Sequence, residues 1–305
     1  LSVGQKLKES SQLYLLMLPS IIIFLIFTYY PMYGVIIAFK DFKIRLGITG
    51  SPWYDPFWGV FAKVFSRPVF WQAFQNTVIL GFMNLVVGFP MPIILALLLN
   101  ELRNEKYKKV IQTFSYLPHF ISWVTLSGLF IQLLSPSSGP IAAVVTALGG
   151  TPYYFMGEVS TFRWVLVVTN IWKSVGWGSI IYLAALSGVD QEMYEAALID
   201  GASRFQRVWY ITLPSILPTV TVMLILQSGS ILNDNFDQVY NMMNSAVYRV
   251  SNVLGVYTYD LGLKNMTNTS LAESTAVGLF KNVISLALVL VTNAISKKIS
   301  DNGIW

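Results

Sequence analysis

Two lysines, Lys173 and Lys281, lie inside stretches that are otherwise almost wholly apolar. An ammonium at the centre of a bilayer costs about 2.5–3.5 kcal/mol on insertion scales, so such a lysine faces a protein interior or a cavity. Around Lys173 stand Asn170, Trp172, Trp177 and Tyr182, while Gln227, Ser228 and Asn233 close a later apolar stretch. Aromatic faces stack on sugar rings, and amides and hydroxyls pair with sugar hydroxyls. The set is a candidate path for a polyhydroxylated solute, with Lys173 or Lys281 available to a hydroxyl or a uronate carboxylate. Each of these residues also has a packing role open to it, and each lysine can instead bond between helices or snorkel to the interface. Other chemistry is excluded. The 305 residues hold no Cys and one His, His119, so thiolate metal sites and disulfides are out of reach and most histidine-based catalysis and metal chemistry is removed. His119 reads as structural. No phosphate loop of the form Gly-x-x-x-x-Gly-Lys-Ser/Thr occurs.

The elements that position these residues follow from composition. Hydrophobic residues make up 54 % and charged residues 11 %, against about 25 % charged in a soluble domain. That balance excludes a disordered chain and argues for a membrane protein. A bilayer crossing needs about 20 apolar residues. Six segments qualify: Leu13–Ala38, Thr77–Leu99, Val110–Leu134, Trp164–Leu186, Thr212–Leu232 and Thr275–Ile295. Kinks are expected at Pro19, Pro31, Pro214 and Pro218. The fold class is all-α, with an inner segment 1–12 ahead of a six-helix membrane domain, 13–305.

Lysine and arginine set the orientation. With both termini inside, the inner segments carry 10 Lys/Arg in 57 residues and the outer segments 8 in 109. The bias places both termini in the cytoplasm, although Lys40, Lys43, Arg45, Lys63 and Arg67 crowd the first outer loop. The sequence opens at Leu1 rather than Met, which leaves any earlier charge out of that count. The net charge of +5 fits loops beside anionic lipid rather than nucleic acid. Aromatic residues from Trp53 to Trp71 suggest an interfacial segment, with a flat amphipathic helix near Ala62–Gln75. The third outer loop, 233–274, is long and polar, and with Asp234 and Asp237 it is a candidate gate or docking site.

The inner loop 187–214 is the most informative. Asp190 suits an N-cap, residues 191–200 are mostly good helix formers, and Gly201 is a natural stop. A second short helix near Ser203–Tyr210 follows, and Pro214 suits the first turn of the next span. The result is a helix–bend–helix, with small Ala196 and Ala197 allowing close approach and Glu195 and Asp200 offering acceptors.

This loop resembles the coupling loop of permease subunits in binding-protein-dependent ABC importers. The family pattern is Glu-Ala-Ala, three residues, Gly, nine residues, Ile, one residue, Leu-Pro. Here it reads Glu195-Ala196-Ala197, Gly201, Ile211 and Leu213-Pro214. Asn76-Thr77, the run Leu117–Ser122, Ile171-Trp172-Lys173 with Gly176, the run Phe236–Tyr240 and the run Ala276–Lys281 look like the carbohydrate branch, similar to maltose- and alginate-type permeases.

The resemblance implies a type I importer permease fold with a cytoplasmic coupling helix. It implies that Glu195 and Gly201 shape the loop, with Asp200 beside them, while Ala196, Ala197 and Leu198 fit a groove in an ATPase subunit. Expected partners are a second, homologous permease subunit forming a heterodimer, two ATP-binding subunits that hold ATP and Mg, and an extracytoplasmic solute-binding protein. The chain itself is expected to need no cofactor and to be no enzyme. The place is a bacterial cytoplasmic membrane and the cargo an oligosaccharide or polysaccharide. The competing reading is a secondary transporter or channel for a polar solute. It calls for coupling carboxylates within spans or an internal repeat, and the sequence offers neither.

Overall fold

The computed structural model describes residues 11–300. The inner segment 1–12 and the end of the segment 296–305 lie largely outside them. The regular structure of the described residues is helical, apart from one isolated bridge between Lys40 and Trp53. The main helices are α1 Ser11–Phe39, α2 Gly59–Phe65, α3 Pro68–Asn100, α4 Glu105–Phe120, α5 Trp123–Leu133, α6 Pro140–Ala147, α7 Val159–Ser187, α8 Gln191–Ile199, α9 Arg204–Gly229, α10 Phe236–Met242, α11 Leu254–Tyr259 and α12 Asn268–Ser300.

Among the described residues, α1, α3, α9 and residues 269–298 of α12 are long and apolar enough to cross a membrane. The pair α4–α5 makes a fifth if counted as one broken span. The expected third span is therefore not one helix: its halves meet at 105°. Pro118 removes a backbone donor near the break, Ile121 is extended, and Ser122 caps the new helix by accepting from the Thr125 amide. The 29-residue α7 is about 43 Å long at 1.5 Å per residue, but Arg163, Asn170 and Lys173 make it more polar than those four.

Prolines shape the spans in a regular way. Tyr30, Phe89 and Leu213 each precede a proline, and each donates its amide five residues back, to Leu25, Asn84 and Val208. A widened π turn gives room for a ring that would clash with the i−4 carbonyl and for a residue with no amide to donate. Pro31 and Pro214 were expected to disturb their spans; Pro90 adds a third case. Pro19 and Pro218 sit inside α-helix. Because the turn at 208–212 keeps the chain helical, the residues after Ser203 belong to α9 and form no separate helix.

The chain divides into two units. The first holds residues up to Ser66 with Asp260–Leu279. Its core joins Ala38, Phe42 and Val60 to Ala272 and Ala276. Lys40 is buried there, donating to the carbonyls of Ile48 at 2.6 Å and Ser51 at 3.0 Å, with the Trp53 ring 5.0 Å away. It is therefore not a free charge of the outer loop. Lys63 meets the buried Glu273 at 2.8 Å.

The second unit holds Arg67–Tyr259 and Phe280 onward. Here α7 is the central strut, packed on α3, α4 and α9. The expected flat helix over 62–75 is not one element, because α3 already begins at Pro68 and buries Phe70 against Tyr257 and Phe280. The loop after α9 is also more ordered than its polarity suggests. Val239, Met242, Val247, Val250, Val253 and Val256 form one core with Trp123, Leu126, Phe162 and Leu166. Against water, each such side chain contributes about 1.5–3 kcal/mol when fully buried.

Candidate functional site

The loop 187–214 is built by local closures. Asp190 caps α8 by accepting from the Glu192 amide at 3.0 Å. At the other end Gly201 has φ +78°, a left-handed conformation that side chains disfavour. Its amide reaches Leu198 O at 3.1 Å and the Ala202 amide reaches Ala197 O at 2.9 Å, a Schellman closure. Ser203 and Gln206 then form a capping box that restarts the helix. The Tyr194 hydroxyl bonds Thr212 Oγ1 at 2.9 Å, tying α8 to α9. This arrangement leaves Glu195, Ala196, Asp200 and Gly201 exposed, with Leu198 60 % and Ile199 87 % exposed at the tip. Ala197 is half-buried beneath them.

A cavity of about 180 Å³ opens between α3, α7 and α9. Asn170, Tyr182 and Gln227 line it, together with Asn84, Ser174 and Met223. Asn84 was not singled out by sequence reasoning; the signal available was the following Pro90, which widens the turn that carries it. An amide chain runs along this wall. Asn84 donates to Leu80 O at 3.0 Å, Asn170 donates to Asn84 Oδ1 at 3.0 Å, and Asn235 donates to Asn170 Oδ1 at 3.2 Å. Asn235 also reaches Gln238, which donates to Leu166 O at 2.7 Å and Thr169 at 2.8 Å. Uncharged amides with both donors and acceptors suit hydroxyl-rich ligands.

The remaining candidates lie elsewhere. Lys173 donates to the carbonyls of Pro118, His119 and Ile121 at 3.2, 2.8 and 2.5 Å, which places its ammonium on the break between α4 and α5. Trp177 is stacked on His119 at 4.6 Å, and Trp172 stands edge-on to Phe130 at 5.5 Å. Gly176 lets the helices meet here, since a Cβ on it would sit 2.1 Å from Ser115 O. Asn233 is exposed beyond α9. Lys281 reaches the buried Asp234 at 3.7 Å, and Asp234 also accepts from the Gly255 amide. Burial pushes the Asp234 carboxyl above the usual carboxylate range, against the opposing pull of Lys281. Asp237 is exposed. Asn76 donates to Arg249 O and Asn252 O, both at 2.9 Å, and accepts from Arg163 at 2.7 Å, while Thr77 receives the Leu254 amide at 2.8 Å.

Residues 57–301 match the family model for the binding-protein-dependent transport system inner membrane component. The chain is 44 % identical over 98 % of its length to Protein LplB of Bacillus subtilis (strain 168), covering 92 % of that protein. It is 41 % identical, with the same shares, to the polygalacturonan/rhamnogalacturonan transport system permease protein YteP of the same organism. Among solved structures, a bacterial ABC transporter involved in the import of the acidic polysaccharide alginate has a chain similar at TM-score 0.87 and 38 % identity. That likeness covers 98 % of this chain and 99 % of the other. The same kind of transporter in complex with an alginate pentasaccharide-bound periplasmic protein gives TM-score 0.88 at 37 % identity, with 99 % of each chain covered. The chain belongs to the binding-protein-dependent transport system inner membrane component family, as an integral inner-membrane ABC permease of type I fold that is no enzyme and leaves ATP to separate subunits.

Proposed function

We propose that this permease forms half of the translocation path for an acidic oligosaccharide or polysaccharide, and that ATP-driven force enters through α8. Glu195, Ala196, Ala197, Leu198, Asp200 and Gly201 make the contact with an ATPase subunit. The observation that carries the reading is the locally closed loop that leaves Leu198 and Ile199 bare at its tip. On this reading there are six spans, counting α4–α5 as one and adding α7, so both termini share one side, and the Lys/Arg density supports the cytoplasmic side. A second, homologous permease completes the path as a heterodimer, two ATPase subunits bind below, and an extracytoplasmic solute-binding protein delivers the cargo. The wall holding Asn170, Tyr182 and Gln227 meets the sugar. Lys173, Trp172, Trp177, Asn233 and Lys281 shape that wall or its approaches. The relatives named for polygalacturonan/rhamnogalacturonan and for alginate support the substrate class. In the reconstituted complex, Glu195→Lys is expected to lower uptake and substrate-stimulated ATPase at least tenfold. Full uptake by that variant would overturn the coupling assignment.

A further inference from the structure

We infer that the coupling loop carries an anion site for the phosphate of a lipid headgroup, held by Arg103, Arg204 and Arg207. These three side chains line one cavity of about 340 Å³, with Glu101, Gln191 and Tyr194 among the other lining residues. That volume falls in the range of small-molecule sites, roughly 300–1,000 Å³. Three guanidinium charges face a single carboxylate. None of the three arginines is ion-paired to a described carboxylate. The Nε of Arg207 is buried with no hydrogen-bond partner in the protein. A buried donor left unmatched costs about 1–3 kcal/mol, and more when charged. The cavity therefore calls for an anionic ligand rich in acceptors. Phosphate fits best, because its oxygens match the planar guanidinium fork two at a time.

The local structure holds the site ready. The Ser203–Gln206 capping box starts α9 so that Arg204 and Arg207, three residues apart, share a face. Thr212 Oγ1 joins the Arg207 carbonyl at 3.3 Å to the Tyr194 hydroxyl at 2.9 Å. Lys106, Lys108 and Lys109 follow Arg103 and strengthen the positive field. The source of the phosphate is indicated by the neighbours. Phe205, Trp209 and Tyr210 are 75 %, 55 % and 74 % exposed, and such rings settle at headgroup depth. Basic pockets on the cytoplasmic side take anionic lipid headgroups, and the side rests on the orientation proposed above. A phosphate on all three arginines ties the segment after α3 to the start of α9. Lipid occupancy then stiffens the base of the coupling helix and raises transport per ATP.

The test uses the assembled importer in detergent, titrated with dioctanoyl phosphatidylglycerol, dioctanoyl phosphatidylcholine or inorganic phosphate, with bound lipid counted by native mass spectrometry. Phosphatidylglycerol is expected to bind at least tenfold more tightly than phosphatidylcholine. Arg204→Gln with Arg207→Gln is expected to remove that preference, and Arg204→Lys with Arg207→Lys to restore part of it. Arg103→Gln, on an exposed residue outside any helix, serves where the double variant folds poorly. Saturation by inorganic phosphate with no lipid preference keeps the phosphate site and moves its source to the cytosol. Unchanged lipid binding in all variants overturns the proposal. Loss of the ATPase subunits from the arginine variants at every lipid level also overturns it, making the arginines subunit contacts. Glu195→Lys is expected to keep lipid binding while losing uptake, so the two proposals fail separately.

Discussion

The chain turns sharply between α4 and α5 and again between α8 and α9, and the two turns are closed in opposite ways. After α8 the open backbone groups find partners within a few residues, through Asp190, Gly201 and Ser203. After α4, besides the local Ile121–Pro118 bond and the Ser122 cap, three carbonyls converge on Lys173, an ammonium 52 to 55 residues away in sequence. A locally closed turn holds its shape while its surroundings move, which suits a part that takes up force at a surface. A remotely closed turn holds only while α7 stays in place, so the angle between α4 and α5 is tied to the position of that strut. The difference separates a rigid lever from a joint.

The largest expected effect comes from breaking the joint. Lys173→Met leaves the His119 and Ile121 carbonyls open, and Pro118 O with the Ile121 amide alone, beside the membrane interior where water cannot replace the lost donor. Hydrogen bonds to a charged group contribute about 1.5–3 kcal/mol each and do not simply add. A loss of about 3 kcal/mol or more is expected, read as a fall of several degrees in the Tm of the detergent-solubilised complex. Lys173→Arg keeps the charge and should recover part of the loss. An unchanged Tm in Lys173→Met would remove the clamp as the cause of the break. Normal uptake by the same variant would remove Lys173 from the translocation path.

The same contrast explains what could be read in advance. Asp190, Gly201 and the Glu195-Ala196-Ala197 run act on their own neighbours, so their spacing carried the bounds of α8. Apolar length likewise carried the positions of α1, α3, α9 and α12. The 105° break in the third span was hidden, because it depends on Lys173 and on Pro118 acting together across two helices. Asn84 was hidden for a similar reason. Its place on the cavity wall follows from a widened turn ahead of Pro90 and from amide partners on α7 and beyond α9. The order of the segment after α9 was masked by its polarity: Asn76, Thr77, Leu166, Thr169 and Lys281 supply the partners from other helices.

The intermediate effect tests the lever. Gly201→Val forces a β-branched residue into the left-handed region, at about 1–2 kcal/mol. The strain falls on a turn that packs little against the rest of the molecule, so the Tm should fall less than for Lys173→Met. The readout that should move is the ratio of sugar transported to ATP hydrolysed. Gly201→Asn should do less harm, because Asn tolerates this conformation. Equal coupling in Gly201→Val and the native chain would mean that the closure of α8 does not govern docking.

The smallest expected effect comes from Ser203→Ala. An N-cap hydroxyl typically contributes about 1 kcal/mol. Here the Gln206 amide reaches Ser203 Oγ at 3.4 Å and that hydroxyl donates to Gln206 Oε1 at 2.8 Å, while Gln206 Oε1 also accepts from the Ser203 amide at 2.8 Å. The stronger half of the capping box survives the substitution, so the cost belongs at the low end, near 0.5 kcal/mol. The Tm should shift by about a degree or two, and transport per ATP should fall less than twofold. The value of the measurement lies in its rank. A turn closed by several local groups keeps most of its bonds when one side chain is cut, whereas a turn held by one distant ammonium loses that group's three bonds together. A drop in Ser203→Ala as large as that in Lys173→Met would show that the loop depends on a single cap, and the distinction between lever and joint would fail.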